Sequence, residues 1–149
     1  RREKFRTHES AHYRGLLEMF GDAPLATDEL ACRLGIVEHK GELLAASLII
    51  TCAGYATYLH GASSRQRREL MAPHFLHGQS IQALKAAGCK AYDLWGVQPA
   101  DGSKPTWAGL SRFKLGFVGR RYEAPGTFDY PLSPLYRFYR QARKVRRML

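Results

Sequence analysis

The side chains that could do chemistry in this sequence are cations and rings rather than a nucleophile. No Ser-His-Asp or Cys-His signature is present in its 149 residues. Arg112-Phe113-Lys114 instead sets a guanidinium, a flat ring and an ammonium in a row. A guanidinium suits phosphate and a ring accepts a stacked base. Taken as bare residues, the same tripeptide also fits an amphipathic segment with Phe113 in the core. Gly61-Ala62-Ser63-Ser64 stands before a long predicted helix, with Arg65, Arg67 and Arg68 beside it. Amides and the Ser63 hydroxyl at such a place can bind an anion, and an ordinary turn with a helix cap explains them equally well.

Histidine and cysteine add little by spacing alone. His8 and His12 form the one i, i+4 pair with ligand-like spacing, and no further partner stands at a suitable distance along the chain, so no metal is expected. Cys32, Cys52 and Cys89 are odd in number, widely spaced and in strand-like contexts. Buried, reduced thiols and a cytoplasmic location follow. Net charge is +10, and it is unevenly spread: residues 1–101 carry 12 basic and 11 acidic side chains, while residues 102–149 carry 11 and 2. A field that one-sided attracts nucleic acid, nucleotide-linked substrates or anionic lipid, although a solvated basic surface has the same composition. The longest apolar run, Leu43 to Ile50, is too short to span a bilayer, and no secretory leader is visible. A start at Arg1 rather than Met leads us to expect a piece of a longer chain.

Positioning these residues requires a mixed fold. Tyr13, Leu16, Leu17 and Phe20 recur at three- and four-residue steps, predicting a helix over 10–20 closed by Gly21. Strands are predicted over 31–38, 43–52 and 55–60, joined by a turn at 39–42 and by Ala53-Gly54. The pattern breaks at 61–64. A helix over 70–87 follows, with Pro73 in its first turn and Leu76, Ala83, Leu84 and Ala87 on one face, ended by Gly88. A strand over 89–95 is expected to pair parallel, then a loop, a short helix over 106–113 and closing strands over 120–123 and 127–130. A basic helix completes the chain over 134–149. The expectation is an α+β fold, a mixed and mostly antiparallel sheet flanked by helices, forming one domain over 1–149. Its element order is that of a GNAT-like acyltransferase. In such a sheet Tyr58 and Asp93 lie on facing strands. Tyr58 is then placed to contact substrate near the cleft, Asp93 to make a structural hydrogen bond, and Trp95 and Trp107 to pack in the core or cleft wall.

Four stretches carry a family resemblance: Tyr58-Leu59-His60-Gly61-Ala62-Ser63-Ser64, Tyr92-Asp93-Leu94-Trp95-Gly96, Leu110-Ser111-Arg112-Phe113-Lys114-Leu115-Gly116-Phe117 and Gly126-Thr127-Phe128-Asp129-Tyr130-Pro131-Leu132. In this order and spacing the chain resembles the second, GNAT-like domain of FemABX peptidyltransferases, with a looser match through Tyr13-Arg14-Gly15-Leu16-Leu17. The resemblance implies transfer of an amino acid from aminoacyl-tRNA to a stem-peptide amine of a peptidoglycan precursor, UDP-linked or lipid-linked muramoyl pentapeptide. It implies no cofactor, a first GNAT-like domain missing here, and a cytoplasmic enzyme that can rest on the inner membrane face. Because the donor ester is already activated, the enzyme must align substrates, let the amine lose a proton and stabilise an oxyanion.

The resemblance also implies residue roles. Lys114 matches the lysine of the family's Arg-Phe-Lys motif and is expected to stabilise the tetrahedral intermediate or hold the tRNA end. Phe113 and Arg112 would then take the terminal adenine and phosphate, Tyr58 would contact substrate near the cleft, Ser63 and Arg67 would serve the anion-binding turn already described, and His8 would stand where relatives carry a phosphate-binding arginine. CoA-using GNAT enzymes carry a Gly-rich pyrophosphate loop where this chain has Arg65 to Leu70 without a glycine. Two other readings stay open: a GNAT N-acyltransferase with another acyl donor, and a non-catalytic RNA- or membrane-binding module. The cationic side chains Arg137, Arg140, Lys144 and Arg147, at steps of three and four, make a face suited to tRNA phosphates or an anionic membrane, and a frayed, solvated tail explains them equally well.

Overall fold

A computed structural model describes residues 7–126 and 128–146. The chain divides into a larger unit ending at Gly116 and a smaller one beginning at Phe117. In the larger unit, helix α1 (Ser10–Phe20) precedes three strands, β1 (Ala31–His39), β2 (Glu42–Cys52) and β3 (Tyr55–Ser63). Helix α2 (Ala72–Ala86), strand β4 (Ala91–Asp93) and helix α3 (Ala108–Leu115) follow. The sheet order is β1-β2-β3-β4, antiparallel across the first two pairings and parallel between β3 and β4. This is an α+β arrangement, a mixed four-stranded sheet flanked by helices.

Local chemistry explains the meander. His39 pairs with Glu42 and Cys52 with Tyr55, leaving two-residue loops Lys40-Gly41 and Ala53-Gly54. All four loop residues have positive φ, between 50° and 80°. That is the hairpin turn whose twist suits flanking strands, and glycine at the second position accepts it without a Cβ penalty. β2 lies in the middle, and Leu44, Ala45, Leu48 and Ile49 are buried along it.

Helix α2 covers one face of the sheet. Its Ala72 and Leu76 pack with Leu44 and Ala45, and Leu84 packs with Ile49 and Ala56. Burying each leucine contributes roughly 1.5–3 kcal/mol. Helix α1 belongs to the same unit, and its C-terminal end is fastened to β1 by Arg33, whose guanidinium donates to the carbonyls of Gly21 and Ala23. A cation suits the negative end of a helix.

Several boundaries differ from expectation. α2 starts at Ala72, after Met71 adopts a φ of 51°, and its buried face runs through Ala72, Leu76, His77 and Leu84 while Ala83 and Ala87 are exposed. β3 continues past Gly61 to Ser63. β4 stops at Asp93 because the Asp93 carboxylate accepts the Trp95 amide at 2.7 Å and Trp95 turns to a φ of 65°. The short helix begins with a 3-10 turn (Pro105–Trp107) and extends through Lys114 to Leu115. Residues 120–126 and 128–130 form no strand, and Thr127 lies outside the described residues. Tyr122, Phe128 and Tyr130 are each more than 80% exposed, so their rings gain no burial that would favour strand pairing. In the smaller unit, helix α4 (Leu135–Arg146) begins where Ser133 Oγ accepts the Leu135 amide, and residues 147–149 lie outside the described residues.

Candidate functional site

The site grows from an irregularity in β3. Leu48 pairs with His60 and Ile49 with Tyr58, so Leu59 is an extra residue without a cross-strand partner. In a regular strand, residues two apart share a face. The bulge breaks that rule and sends Tyr58 and His60 to opposite sides. Tyr58 meets α2, with its ring edge-on to His77 at 4.5 Å, while His60 meets Tyr13 of α1 at 5.2 Å. A Cβ added at Gly61 would overlap the Tyr58 phenol, so this glycine is the space in which the ring lies.

On the α2 side, rings converge. His77 is 2% exposed, and its Nδ1 lies 2.8 Å from the Tyr92 hydroxyl. Phe113 of α3 stands 5.5 Å from the His77 ring and 4.7 Å from the His74 ring. Burial, with repulsion from His74 and Lys114, pushes the His77 imidazole down to about 4, so it is neutral at ordinary pH. Burial also raises the Tyr58 phenol, and burial together with Tyr58 raises Tyr92 well above the ordinary range. Both hydroxyls keep their protons, and Tyr92 therefore has a proton to donate to His77 when Nδ1 carries none.

Lys114 enters this apolar setting as a cation. It is 6% exposed, donates from Nζ to the Gly96 carbonyl at 2.9 Å, and lies 5.9 Å from the centre of the Tyr58 ring. Burial lowers its pKa, partly offset by Asp93. Ser111, one helical turn earlier, accepts the Gln98 amide at 2.6 Å, so α3 grips the loop after β4 at two points. A neutral donor would hold Gly96 as well without the cost of desolvating an ammonium. That cost is the physical reason to look for a further task at Lys114.

The predicted residues separate into groups. Tyr58, Phe113 and Lys114 are brought together around His77. Arg112 is on the exposed side of α3. Ser63 is exposed at the end of β3, and Arg67 lies beyond it with a φ of 49°, donating from Nε to Glu42 at 2.8 Å. His8 belongs to a different place, beside His12 and His60. Asp93 makes the structural hydrogen bond expected of it. Trp95, expected to pack in the core or cleft wall, is 58% exposed, because its positive φ turns it off the strand. Trp107 is 38% exposed and carries the Lys104 ammonium over its ring at 4.3 Å. Sequence reasoning missed His77 and Tyr92. The signal for His77 was available: it directly follows Leu76 on a helix face whose buried members step by four and eight, from Ala72 to Leu76 to Leu84.

Cationic side chains of α4 that are described, Arg137, Arg140 and Arg143, are exposed, while the Lys144 side chain and Arg147 lie outside the described residues. Among the described residues, no helix is long and apolar enough to cross a membrane.

Comparison with known proteins identifies a family. A family model described as the FemAB family matches residues 26–144. A lipid II:glycine glycyltransferase of Staphylococcus haemolyticus (strain JCSC1435) is 29% identical over 105 residues, which is 70% of this chain and 25% of that protein. Proteins of the same name from Staphylococcus epidermidis (strain ATCC 35984) and Staphylococcus aureus (strain USA300) are each 29% identical, covering 66% and 71% of this chain and 24% and 26% of their own lengths. The chain thus spans about a quarter of the curated relatives it matches. No solved structure gives a significant match.

Proposed function

Because this chain belongs to the FemAB family, we propose that it is the acyltransferase portion of an enzyme that passes an amino acid from aminoacyl-tRNA to the stem-peptide amine of a peptidoglycan precursor. The match over residues 26–144 carries the proposal, and similarity to proteins named lipid II:glycine glycyltransferase supports the choice of a muramoyl acceptor. The fold is read as GNAT-like, with the first GNAT-like domain supplied elsewhere. In the reaction, the acceptor nitrogen attacks the ester carbonyl carbon, the bond from that carbon to the ribose oxygen breaks, and the amine proton ends on the released ribose hydroxyl. No covalent enzyme intermediate is required.

Lys114 is the catalytic residue of this reading. Its ammonium carries three donors, and one of them is directed at Gly96. In a low-dielectric pocket, a fixed cation stabilises a developing oxyanion far better than it does in water. Phe113 offers the terminal adenine a stacking surface and Arg112 a phosphate contact, while Tyr58 lines the cleft. Ser63 and Arg67 border the substrate path, with the exposed Arg67–Glu42 pair open to exchange for an anionic substrate. His8 takes the place of a phosphate-binding arginine. The exposed cations of α4 track tRNA phosphates, or hold the enzyme at the inner face of the membrane where Leu135, Phe138 and Tyr139, also exposed, meet lipid.

The test is transfer of labelled amino acids from a charged tRNA pool to UDP-linked and lipid-linked muramoyl pentapeptide. This chain and any longer natural form containing it are assayed in parallel, each with a Lys114→Met variant. The expected result is transfer by the longer form, reduced about 100-fold or more in the variant while circular dichroism stays unchanged. Near-normal turnover of Lys114→Met would remove Lys114 from the mechanism. Failure of transfer to either acceptor, with salt-sensitive tRNA binding retained, would favour the non-catalytic RNA-binding module, a reading that the exposed α4 cations also support.

A further inference from the structure

We infer that His8, His12 and His60 form a binding site for a divalent transition-metal ion, separate from the ring cluster around Lys114. One ligand nitrogen from each of the three lies within 4.8 Å of the other two. Two of them flank the start of α1: His8 precedes the helix, His12 lies in its first turn, and the extended Glu9 between them brings the two rings to 4.3 Å. The third comes from β3, where the extra residue Leu59 turns His60 toward α1 and away from Tyr58.

Ring packing alone does not account for this convergence. The His8 and His12 rings are 4.3 Å apart with a 30° tilt, while His60 approaches both edge-on at 5.4 and 5.5 Å. Such a triangle turns nitrogen atoms, not only ring faces, toward a common point. Tetrahedral zinc, with Zn–N of about 2.0–2.1 Å, needs nitrogens roughly 3.4 Å apart. Contraction from 4.8 Å by up to about 1.4 Å is within reach of side-chain rotation, because His8 and His12 are exposed. Tyr13 supports the arrangement from behind: its ring packs edge-on to His60 at 5.2 Å, and its hydroxyl accepts the His8 amide at 3.2 Å.

The donor set indicates the class of ion. Three imidazoles without a carboxylate suit zinc, nickel, cobalt or copper rather than magnesium or calcium. Three protein ligands leave a fourth position for water or an anionic oxygen, as in open rather than closed zinc sites. Because His12 belongs to α1, His8 precedes it and His60 belongs to β3, a bound ion also ties the start of the helix to the sheet.

The experiment uses protein without a polyhistidine tag, stripped with a chelator and titrated with zinc by calorimetry, with thermal melting in parallel. One ion per chain is expected, and melting should rise by roughly 5 °C or more at a hundredfold excess over the dissociation constant. Cobalt in place of zinc should give the visible bands of a four-coordinate nitrogen site. His60→Gln and His12→Ala should each weaken zinc at least about tenfold. Since His12 is exposed, its variant decides the matter should His60→Gln fail to fold. Absence of saturable uptake, or uptake of equal affinity in the His12→Ala protein, would overturn the site. The readouts are independent of the transfer assay.

Discussion

Stability between pH 7 and pH 5 tests the buried ring cluster most directly. His77 is 2% exposed, and burial, with His74 and Lys114 adding repulsion, moves its imidazole from the ordinary 6.5 to about 4. Between those two values the unfolded chain binds a proton that the folded chain refuses. The resulting stabilisation is fully present above pH 6.5 and is lost as pH falls toward 4. At about 1.4 kcal/mol for each pKa unit, the whole gap amounts to about 3 kcal/mol, of which about 2 kcal/mol is gone by pH 5. His77→Asn leaves a polar group facing the Tyr92 hydroxyl and removes the titration. Urea unfolding of both proteins at pH 7, 6 and 5 isolates the effect, since carboxylates common to both cancel in the difference. The variant should be less stable at pH 7 by about 1–3 kcal/mol, from lost volume and a poorer hydrogen bond. That deficit should shrink by about 2 kcal/mol at pH 5. Parallel curves would refute the claim that His77 is buried and neutral.

Two more expectations concern the elements around this cluster. Gly61→Ala should push the Tyr58 ring out of its place, lowering stability by about 1–3 kcal/mol in urea unfolding and transfer in an active form by as much as about 100-fold. If both remain unchanged, Tyr58 does not lie over Gly61. Replacing Arg137, Arg140 and Arg143 together by serine should weaken tRNA binding and lower the slope of log affinity against log salt by about two. An unchanged slope in filter binding would remove α4 from the RNA contact.

Much of the scaffold was legible because its signals are local. The Lys40-Gly41 and Ala53-Gly54 loops fix two hairpins by their own φ preferences, and the apolar run of β2 announces a central strand. The parallel β4 was expected too, although its length was not, since the Asp93 carboxylate ends the strand through a hydrogen bond that periodicity does not encode. The aromatic segment over 120–130 illustrates the opposite failure: β-favouring residues alone do not make a strand when nothing buries them. In the candidate site, Tyr58, Phe113 and Lys114 were named from the resemblance, and the fold brings them around one histidine. His77 and His60 went unnoticed because each acquires its role from a neighbour distant in sequence, Tyr92 in one case and the His8–His12 pair in the other.

The unpaired Leu59 acts on β3 as a frameshift acts on a reading frame. Upstream of it, Ala56 and Tyr58 are read onto the α2 side; downstream, His60 is read onto the other side although it is an even number of residues away. Length, more than side-chain identity, is therefore the vulnerable quantity in this strand. Exchanging Leu59 for another residue leaves the frame intact, whereas deleting it would force either the tyrosine or the histidine onto the wrong side of the sheet. One backbone irregularity thereby ties two otherwise unconnected clusters to a common fate, and a lineage could not lose it without losing one of them.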